Sequence, residues 1–262
     1  ELDRALGSEV VVKMDKKVSL KEFDKQVYVA VCNHNCYLYL DKVKGVGGLP
    51  VGTAGKVVCL LSGGLDSPVA AYQMMKRGCE VVFVHFMNYS QNQDSVLGKI
   101  EQLVEKLKDF QGYGKLYLVP FDDIQKELIL KVKADYRMVM YRRFMMLIAE
   151  EVMLKENALG LVTGDSLGQV ASQTLENLDC VYSVVKASVF SPLIGMNKQE
   201  VVEIARRIGT YEISIIPYGD CCSFFIAKHP MTKGKKEDCD AFDATLDVAG
   251  LVMGALEKVR VV

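Results

Sequence analysis

The sequence lacks a long apolar run and lacks an excess of charge of either sign. Its longest apolar stretch, from Val248 to Leu256, is closed by Asp247 and Glu257 and is about half the ~20 residues that a membrane span requires. The 32 Lys and Arg residues nearly balance the 33 Asp and Glu residues, which leaves a net charge of −1. We therefore expect no membrane association, and any nucleic-acid site has to be a local basic patch.

Paired cysteine motifs are also missing. None of the eight cysteines belongs to a CxxC pair, and the nearest spacing is the wider one between Cys32 and Cys36, which disfavours a zinc or iron–sulfur site. No secretory signal is visible, and 262 residues suffice for a core without disulfides. We expect reduced thiols and a cytoplasmic protein. Because the sequence opens at Glu1 without Met, we also expect that its true start is missing.

A Gly-rich segment separates two patterns along the chain. Five glycines and a proline fall between Gly45 and Gly55, which predicts a linker over residues 45–55. The preceding residues 1–44 show helical spacing of apolar residues up to Met14 and then a hairpin pattern around His34. One helix and one hairpin are too little to fold alone, so we interpret this piece as the end of a larger domain.

Residues 56–262 alternate between short apolar strands and amphipathic helices. Strands are predicted at Lys56–Leu61, Glu80–Phe86, Lys115–Val119 and Leu159–Thr163, with an extended Val189–Ser191. Helices are predicted at Ser67–Arg77, Asp94–Phe110, from Asp122, at Tyr136–Glu156, Leu167–Asn177, Asn197–Ile208 and Asp238–Val259. This alternation predicts an α/β fold with a doubly wound parallel sheet. In such sheets, ligands bind beyond the carboxyl ends of the strands.

The segment Ser62-Gly-Gly-Leu-Asp-Ser67 lies between the first predicted strand and the first predicted helix of this domain. Glycines let the backbone approach an anion, and a helix N-terminus offers N–H groups to phosphate. The segment is neither a Walker loop nor a GxGxxG fingerprint. A carboxylate beside phosphate is repulsive unless it holds a cation, which suggests that Asp66 bridges to Mg²⁺. The alternative is an ordinary turn in which Asp66 or Ser67 caps the helix.

This loop resembles the PP-loop of the ATP pyrophosphatase superfamily, whose members cleave ATP to AMP and pyrophosphate. Further segments carry a narrower resemblance: residues 45–52 (GVGGLPVG), 141–143 (YRR), 163–174 (TGDSLGQVASQT), 192–198 (PLIGMNK) and 220–222 (DCC). Together they resemble the ThiI-type tRNA sulfurtransferases, the 4-thiouridine synthetases, in a short form without a rhodanese domain. The resemblance covers nearly all of residues 40–236. It implies a Rossmann-like PP-loop domain preceded by the C-terminal part of an α+β, RNA-binding THUMP domain.

The resemblance implies a set of residues that face ATP. They are Leu60, Leu61, Ser62, Gly63, Gly64, Asp66, Ser67, His85, Phe86, Arg142, Gly164, Asp165 and Gln173. The residues alone leave alternatives open for three of them. His85 is also compatible with a core or surface histidine, Arg142 with a partner to a structural carboxylate, and Gln173 with an exposed helix residue.

Sulfur transfer to a uridine carbonyl needs an activated oxygen and a sulfur nucleophile, and a cysteine persulfide is the natural carrier. The resemblance implies that Cys221 is this acceptor, with Cys222 as a reserve or resolving thiol. Cys59, Cys79 and Cys180 fit buried small hydrophobes better. The family lysine required for activation corresponds to Lys198, although a solvated lysine is the alternative.

A basic stretch follows the predicted nucleophile and suggests a tRNA surface. It contains Lys228, Lys233, Lys235 and Lys236, which would contact phosphates without reading sequence.

The resemblance therefore implies adenylation of uridine 8 in tRNA by Mg²⁺ and ATP, then replacement of its 4-oxygen by sulfur. A cysteine desulfurase would donate the sulfur, a homodimer is expected, and the resemblance also implies a link to thiamine thiazole biosynthesis. The alternatives are another PP-loop enzyme such as an amide ligase, which needs no thiol, and an RNA-binding protein without catalysis.

Overall fold

The chain divides between Val46 and Gly47 into two units in a computed structural model that describes residues 2–88, 93–217 and 230–262. The first unit contains helix α1 (Leu2–Met14) and an antiparallel hairpin of β1 (Tyr28–Cys32) and β2 (Asn35–Tyr39). Asn33 turns the hairpin with a φ of 54°. The predicted helix and hairpin are confirmed. None of residues 2–46 is buried, so this unit contributes no core of its own.

The predicted linker over residues 45–55 is too long, because most of it packs onto the second unit. The Leu49 N–H donates to the Lys76 carbonyl at 3.0 Å, and the Ala54 N–H donates to the Gly78 carbonyl at 3.0 Å. Gly78 has a φ of 88°, and a Cβ at this position would lie 2.5 Å from Thr53 Oγ1. The second unit therefore begins at Gly47, with an irregular segment that hydrogen bonds hold against α2 (Asp66–Lys76).

The second unit is built on a six-stranded sheet. Its strands are β3 (Lys56–Leu60), β4 (Glu80–Met87), β5 (Leu116–Pro120), β6 (Gly160–Val162), β7 (Ser188–Phe190) and β8 (Arg260–Val261). Their order is β7-β6-β3-β4-β5-β8, and every neighbouring pair is parallel except β5 with β8. The parallel sheet is confirmed, whereas the short antiparallel edge strand β8 was not expected from the sequence.

Helices cover both faces of the sheet because alternate strand residues point to opposite sides. Besides α2, they are α3 (Gln93–Gln111), α4 (Asp122–Lys131), α5 (Arg137–Lys155), α6 (Leu175–Tyr182), α7 (Lys198–Arg207), α8 (Tyr211–Ser214), α9 (Lys236–Asp243) and α10 (Val248–Glu257). One core joins the sheet to α2, α3 and α7, and the other joins it to α4, α5, α6, α9 and α10. Val58 belongs to the second core and its neighbour Cys59 to the first. The doubly wound architecture is thus confirmed.

Within residues 2–88, 93–217 and 230–262, no helix is both long enough and apolar enough to cross a membrane.

Two predicted helices have wrong boundaries. The helix expected at Leu167–Asn177 is a turn with Gly168 at a φ of 73°, then a short 3-10 turn, and α6 starts only after Thr174. The Thr174 side chain accepts the Asn177 N–H, so it caps the helix there. The helix expected at Asp238–Val259 is interrupted between α9 and α10, where Asp247 caps α10 by accepting the Gly250 N–H.

The strand order places a crevice beside β3. From β3 the chain moves outward through β4 and β5, then returns to β6 on the opposite side of β3. Connections that leave two adjacent strands in opposite directions open a crevice at the carboxyl ends of those strands. The Ser62–Ser67 loop follows β3, and Gly164 and Asp165 follow β6. Both predicted nucleotide segments therefore flank this crevice.

Candidate functional site

Serine side chains close the loop between β3 and α2. The Ser62 N–H donates to Ser67 Oγ at 2.8 Å, and the Ser67 hydroxyl lies 3.2 Å from the Ser62 carbonyl. The Gly64 N–H donates to Ser62 Oγ at 3.3 Å. The N-cap of α2 is Leu65, which makes no side-chain cap bond. The alternative in which Asp66 or Ser67 caps the helix is therefore wrong, and the helix N-terminus can offer N–H groups to an anion.

A cavity of about 540 Å³ opens beside this loop, within the range of roughly 300–1,000 Å³ that is typical of ligand sites. Every predicted nucleotide residue other than Gly63 and Gly64 lines it. Met138 and Met145 of α5 add an apolar wall. The predicted nucleotide residues thus converge on one cavity at the carboxyl ends of β3 and β6.

Asp66 lies between two donors from distant parts of the chain. Lys198 Nζ donates to Asp66 Oδ1 at 3.0 Å, and Gln169 Nε2 donates to Asp66 Oδ2 at 2.9 Å. Lys198 is the first residue of α7, where the capping box of Asn197 and Glu200 starts the helix. The lysine is half exposed yet ion-paired. This contact is consistent with the prediction of Asp66 and Lys198 as site residues. Gln169 was not predicted, although it lies inside the motif 163–174.

A second carboxylate, Asp165, binds two of the predicted nucleotide residues. Its Oδ2 accepts from Arg142 Nη2 at 2.6 Å, and its Oδ1 accepts from Gln173 Nε2 at 3.0 Å. Arg142 Nη1 also donates to the Ser172 carbonyl at 3.0 Å. Asp165 is therefore the structural carboxylate that the sequence allowed as a partner of Arg142. The Arg142 side chain also lines the cavity. Gln173 lies in the 3-10 turn before α6, so its interpretation as an exposed helix residue is wrong.

His85 lies at the end of β4 and is buried. Its Nδ1 is 2.9 Å from the carbonyl oxygen of Leu61, the residue that follows β3. This contact ties the two strand ends together, and His85 and Leu61 both line the cavity. The histidine therefore has a structural bond and a place at the cavity, and the two interpretations are compatible.

The predicted sulfur acceptor and part of the predicted tRNA surface lie outside the described residues. These are Cys221, Cys222 and Lys228. The described chain resumes at Pro230, and both Pro230 and Met231 line the cavity. Lys233, Lys235 and Lys236 are exposed on the segment that follows.

The side chain of Asn177 holds this returning segment. Its Nδ2 donates to the carbonyls of Ala171 and Met231 at 2.8 Å each, and its Oδ1 accepts the Gly234 N–H at 2.9 Å. Asn177 is completely buried. It therefore joins the wall formed by the 3-10 turn to the wall formed by residues 230–234.

Asp66 offers carboxylate oxygens to a Mg²⁺ ion that phosphates bring with them, and in this structure those oxygens accept hydrogen bonds from Lys198 and Gln169. Within residues 2–88, 93–217 and 230–262, no three His, Cys, Asp or Glu side chains are grouped as a metal site. Mg²⁺ in nucleotide sites is commonly held by one or two carboxylates together with phosphate oxygens and water. Asp66, at the start of α2 and on the cavity wall, is the carboxylate that would hold it.

Fold, loop and cavity define a PP-loop protein of the Rossmann-like α/β class. The sequence profile of the ThiI family, described as "Thiamine biosynthesis protein (ThiI)", matches residues 52–248. The chain belongs to the ThiI family.

Individual relatives agree with this assignment. A protein of Thermus thermophilus called "Probable tRNA sulfurtransferase" is 46% identical over 258 residues, which is 98% of this chain and 64% of that protein. A protein of Brevibacillus brevis with the same description is 41% identical over 262 residues, or 100% of this chain and 66% of the relative. The chain thus spans about two thirds of the length of these relatives.

A solved structure is similar over the whole chain. It is described as "Crystal structure of a 4-thiouridine synthetase - RNA complex with bound ATP", and it matches with a TM-score of 0.92 and 37% identity. The match covers 100% of this chain and 69% of the other.

Proposed function

We propose that this chain carries the catalytic part of an ATP-dependent tRNA sulfurtransferase that makes 4-thiouridine. The observation that supports it most directly is the convergence of the predicted nucleotide residues on one cavity beside the Ser62–Ser67 loop. The relatives named as tRNA sulfurtransferases, and the ATP and RNA bound to a similar synthetase, favour the same activity.

In the first step, the 4-oxygen of uridine 8 attacks the α-phosphorus of ATP and pyrophosphate leaves. The loop and the N-terminus of α2 bind the departing phosphates through N–H groups, and Lys198 stabilises their negative charge. Mg²⁺, when bound, neutralises part of the phosphate charge. Arg142 and Gln173 line the cavity where the rest of the nucleotide would lie.

In the second step, the terminal sulfur of a Cys221 persulfide attacks C4 of the adenylated uridine and AMP leaves. A thiol then cleaves the S–S bond, which gives 4-thiouridine and a protein disulfide, and we assign that thiol to Cys222. A cellular reductant must reduce the disulfide before a new cycle, and a cysteine desulfurase supplies the sulfur. Because a persulfide forms on a nucleophilic thiol, this role requires that Cys221 be accessible in solution.

The tRNA would contact the exposed lysines that follow the nucleophile segment. Lys233, Lys235 and Lys236 lie within six residues of Pro230 on the cavity wall, and Lys228 precedes it. Such contacts give affinity and register, and they weaken with salt. We propose that residues 1–44 are the end of a THUMP domain that adds RNA contacts, that the working enzyme is a cytoplasmic homodimer, and that it also serves thiamine thiazole biosynthesis.

The decisive experiment is nucleoside mass spectrometry on a tRNA with uridine at position 8. The tRNA is incubated with this chain, Mg·ATP, a cysteine desulfurase and cysteine. Cys221→Ala is the test variant, and Cys32→Ala is the matched control because Cys32 is an exposed thiol in the first unit. We expect a sulfur-for-oxygen mass gain in wild type and in Cys32→Ala, and none in Cys221→Ala.

The other results separate the alternatives. Product that survives in Cys221→Ala but disappears in Cys222→Ala would move the acceptor to Cys222. AMP and pyrophosphate release without any thiolated nucleoside would contradict the substrate and favour another PP-loop enzyme. If ATP is neither bound nor cleaved, the catalytic proposal is wrong and a purely RNA-binding role is left.

A further inference from the structure

A partly buried cluster of hydroxyl groups adjoins Asp165 at the cavity wall, and one of its members, Thr163, lines the cavity. We call it the Asp165 cluster: Asp165, Tyr182, Thr163 and Ser191. The Tyr182 hydroxyl lies 2.5 Å from Asp165 Oδ2, 3.0 Å from Thr163 Oγ1 and 3.0 Å from Ser191 Oγ. Thr163 Oγ1 and Ser191 Oγ are 2.9 Å apart. Sequence reasoning singled out only Asp165 as a site residue, although Thr163 lies in the same motif 163–174, and Tyr182 and Ser191 belong to no motif.

The carboxylate of Asp165 faces protein donors through both of its oxygens. Oδ1 accepts from Gln173, and Oδ2 accepts from Arg142 and Tyr182. The side chain is only 5% exposed, compared with 17% for Arg142. An ionised carboxylate only accepts hydrogen bonds, so it turns the nitrogen of the Gln173 carboxamide toward itself and fixes one Arg142 amino group.

The pKa shifts of Tyr182 and Asp165 favour a neutral phenol that donates to an ionised carboxylate. Burial, together with the charge of Asp165 and the hydrogen bond to it, raises the pKa of Tyr182 to about 12, so the phenol remains a donor at neutral pH. Burial would also raise the pKa of Asp165, but the charge of Arg142 and the hydrogen bonds from Tyr182 and Thr163 outweigh it and lower the pKa. The carboxylate is therefore ionised at neutral pH and holds the guanidinium by charge as well as by geometry.

We propose that Asp165 and Tyr182 are positioning residues of the nucleotide site, which hold the guanidinium of Arg142 and the carboxamide of Gln173 at the cavity wall. The inference rests on the proposed function, in which ATP occupies this cavity. Arg142 has five N–H donors, of which two bind Asp165 and Ser172, so others remain for the nucleotide. Asp165 itself acts through its neighbours, because a carboxylate in contact with phosphates would repel them.

Three variants test the proposal by equilibrium binding of Mg·ATP to the whole chain. Tyr182→Phe removes one hydroxyl at nearly constant shape, and Asp165→Asn removes the charge. Tyr117→Phe is the matched control, since the Tyr117 hydroxyl donates to another carboxylate, that of Glu156, and Tyr117 does not line the cavity. The melting temperature without nucleotide is recorded for each.

We expect the ATP Kd to rise about 3- to 10-fold in Tyr182→Phe, which removes one of the bonds that hold Asp165, and about 10- to 100-fold in Asp165→Asn, which removes the charge that holds Arg142. Tyr117→Phe lowers the melting temperature and leaves the Kd within about twofold. If Asp165→Asn does not fold, Tyr182→Phe alone carries the comparison.

A double-variant cycle separates positioning from general structural support. If Tyr182 acts through Arg142, its replacement has a smaller effect on the Kd when Arg142→Gln is already present. We expect at least half of the logarithmic effect to disappear in that background. A fully additive effect, or an effect in Tyr117→Phe equal to that in Tyr182→Phe, would overturn the inference.

Failure of the proposed function gives a different result. If wild type does not bind Mg·ATP, the nucleotide site itself is wrong. If wild type binds and Tyr182→Phe and Asp165→Asn bind equally well, the cavity is a nucleotide site but the Asp165 cluster does not position its ligands.

Discussion

Burial divides the described cysteines into two classes of reactivity. Cys32 and Cys36 are exposed, whereas Cys59, Cys79, Cys180 and Cys239 are buried, and burial raises the pKa of Cys59 and of Cys239 to about 12. The thiolate is the reactive form. At pH 8 we therefore expect iodoacetamide to modify Cys32 and Cys36 at least about 100-fold faster than Cys59 and Cys239. Peptide mass spectrometry at increasing times measures the rates.

The control for this labelling is the same reaction in denaturant, where the buried and the exposed thiols should react at similar rates. Rapid native labelling of Cys59 or Cys239 would contradict the structure, because one of the two sheet faces would then have to open.

At the level of residues, sequence reasoning predicts which side chains belong to the site but not which side chains hold them. The position of Arg142 in the sequence is compatible with a phosphate or a carboxylate partner, and only the folded chain shows that Asp165 lies beside it. Asp66 and Lys198 are 132 residues apart, and only the folded sheet brings them together. Tyr182 carries no motif, so nothing in the sequence distinguishes it from a core tyrosine.

The segment after β6 packs closely against the start of α2 because residue 164 is a glycine. A Cβ on Gly164 would lie 2.7 Å from the Ser67 nitrogen and 2.9 Å from the Ser67 Cα, and neither backbone atom can move without shifting the start of α2. We expect Gly164→Ala to lower the free energy of unfolding by about 1–3 kcal/mol, as overpacking does, and to weaken ATP binding. Urea titration measures the first effect and equilibrium dialysis the second.

Gly195→Ala is the matched control, because a Cβ there meets nothing within 4 Å. Its free energy of unfolding should change by no more than about 0.5 kcal/mol. Equal stability of the two variants would show that β6 and the Ser62–Ser67 loop are not packed as described.

Helices and strands were predicted well where apolar residues recur at a single helical or strand spacing. They were predicted poorly where a side-chain cap ends or delays a helix within such a pattern. The strands leading to the site and the start of α7 at Asn197 follow directly from the sequence, whereas the Glu200 half of its capping box was not predicted. The segment before α6 contains enough apolar residues to suggest a helix, but Gly168 and the Thr174 cap delay its start. The Asp247 cap divides the last predicted helix in the same way.

For the whole molecule, the alternation of strands and helices predicts a doubly wound sheet, but it leaves the exact extent of each unit open. A Gly-rich composition suggests a linker, yet Gly47–Gly55 is held by hydrogen bonds that composition does not reveal. The edge strand β8 has only two residues, too few for a sequence pattern. Tertiary pairing therefore decides where the second unit begins and adds β8 to the edge of its sheet.

The division between Val46 and Gly47 predicts how the two pieces behave when separated. Both hydrophobic cores lie in the second unit, and none of residues 2–46 is buried. We expect residues 47–262 to fold with a melting temperature within about 2 °C of the whole chain and to keep its ATP affinity. A peptide of residues 1–46 should show little helix by circular dichroism, because a 13-residue helix and a lone hairpin are marginal in water. Loss of cooperative melting in the larger fragment would mean that its stability depends on the first unit, and a folded peptide would mean that residues 1–46 contain a core that their exposure does not suggest.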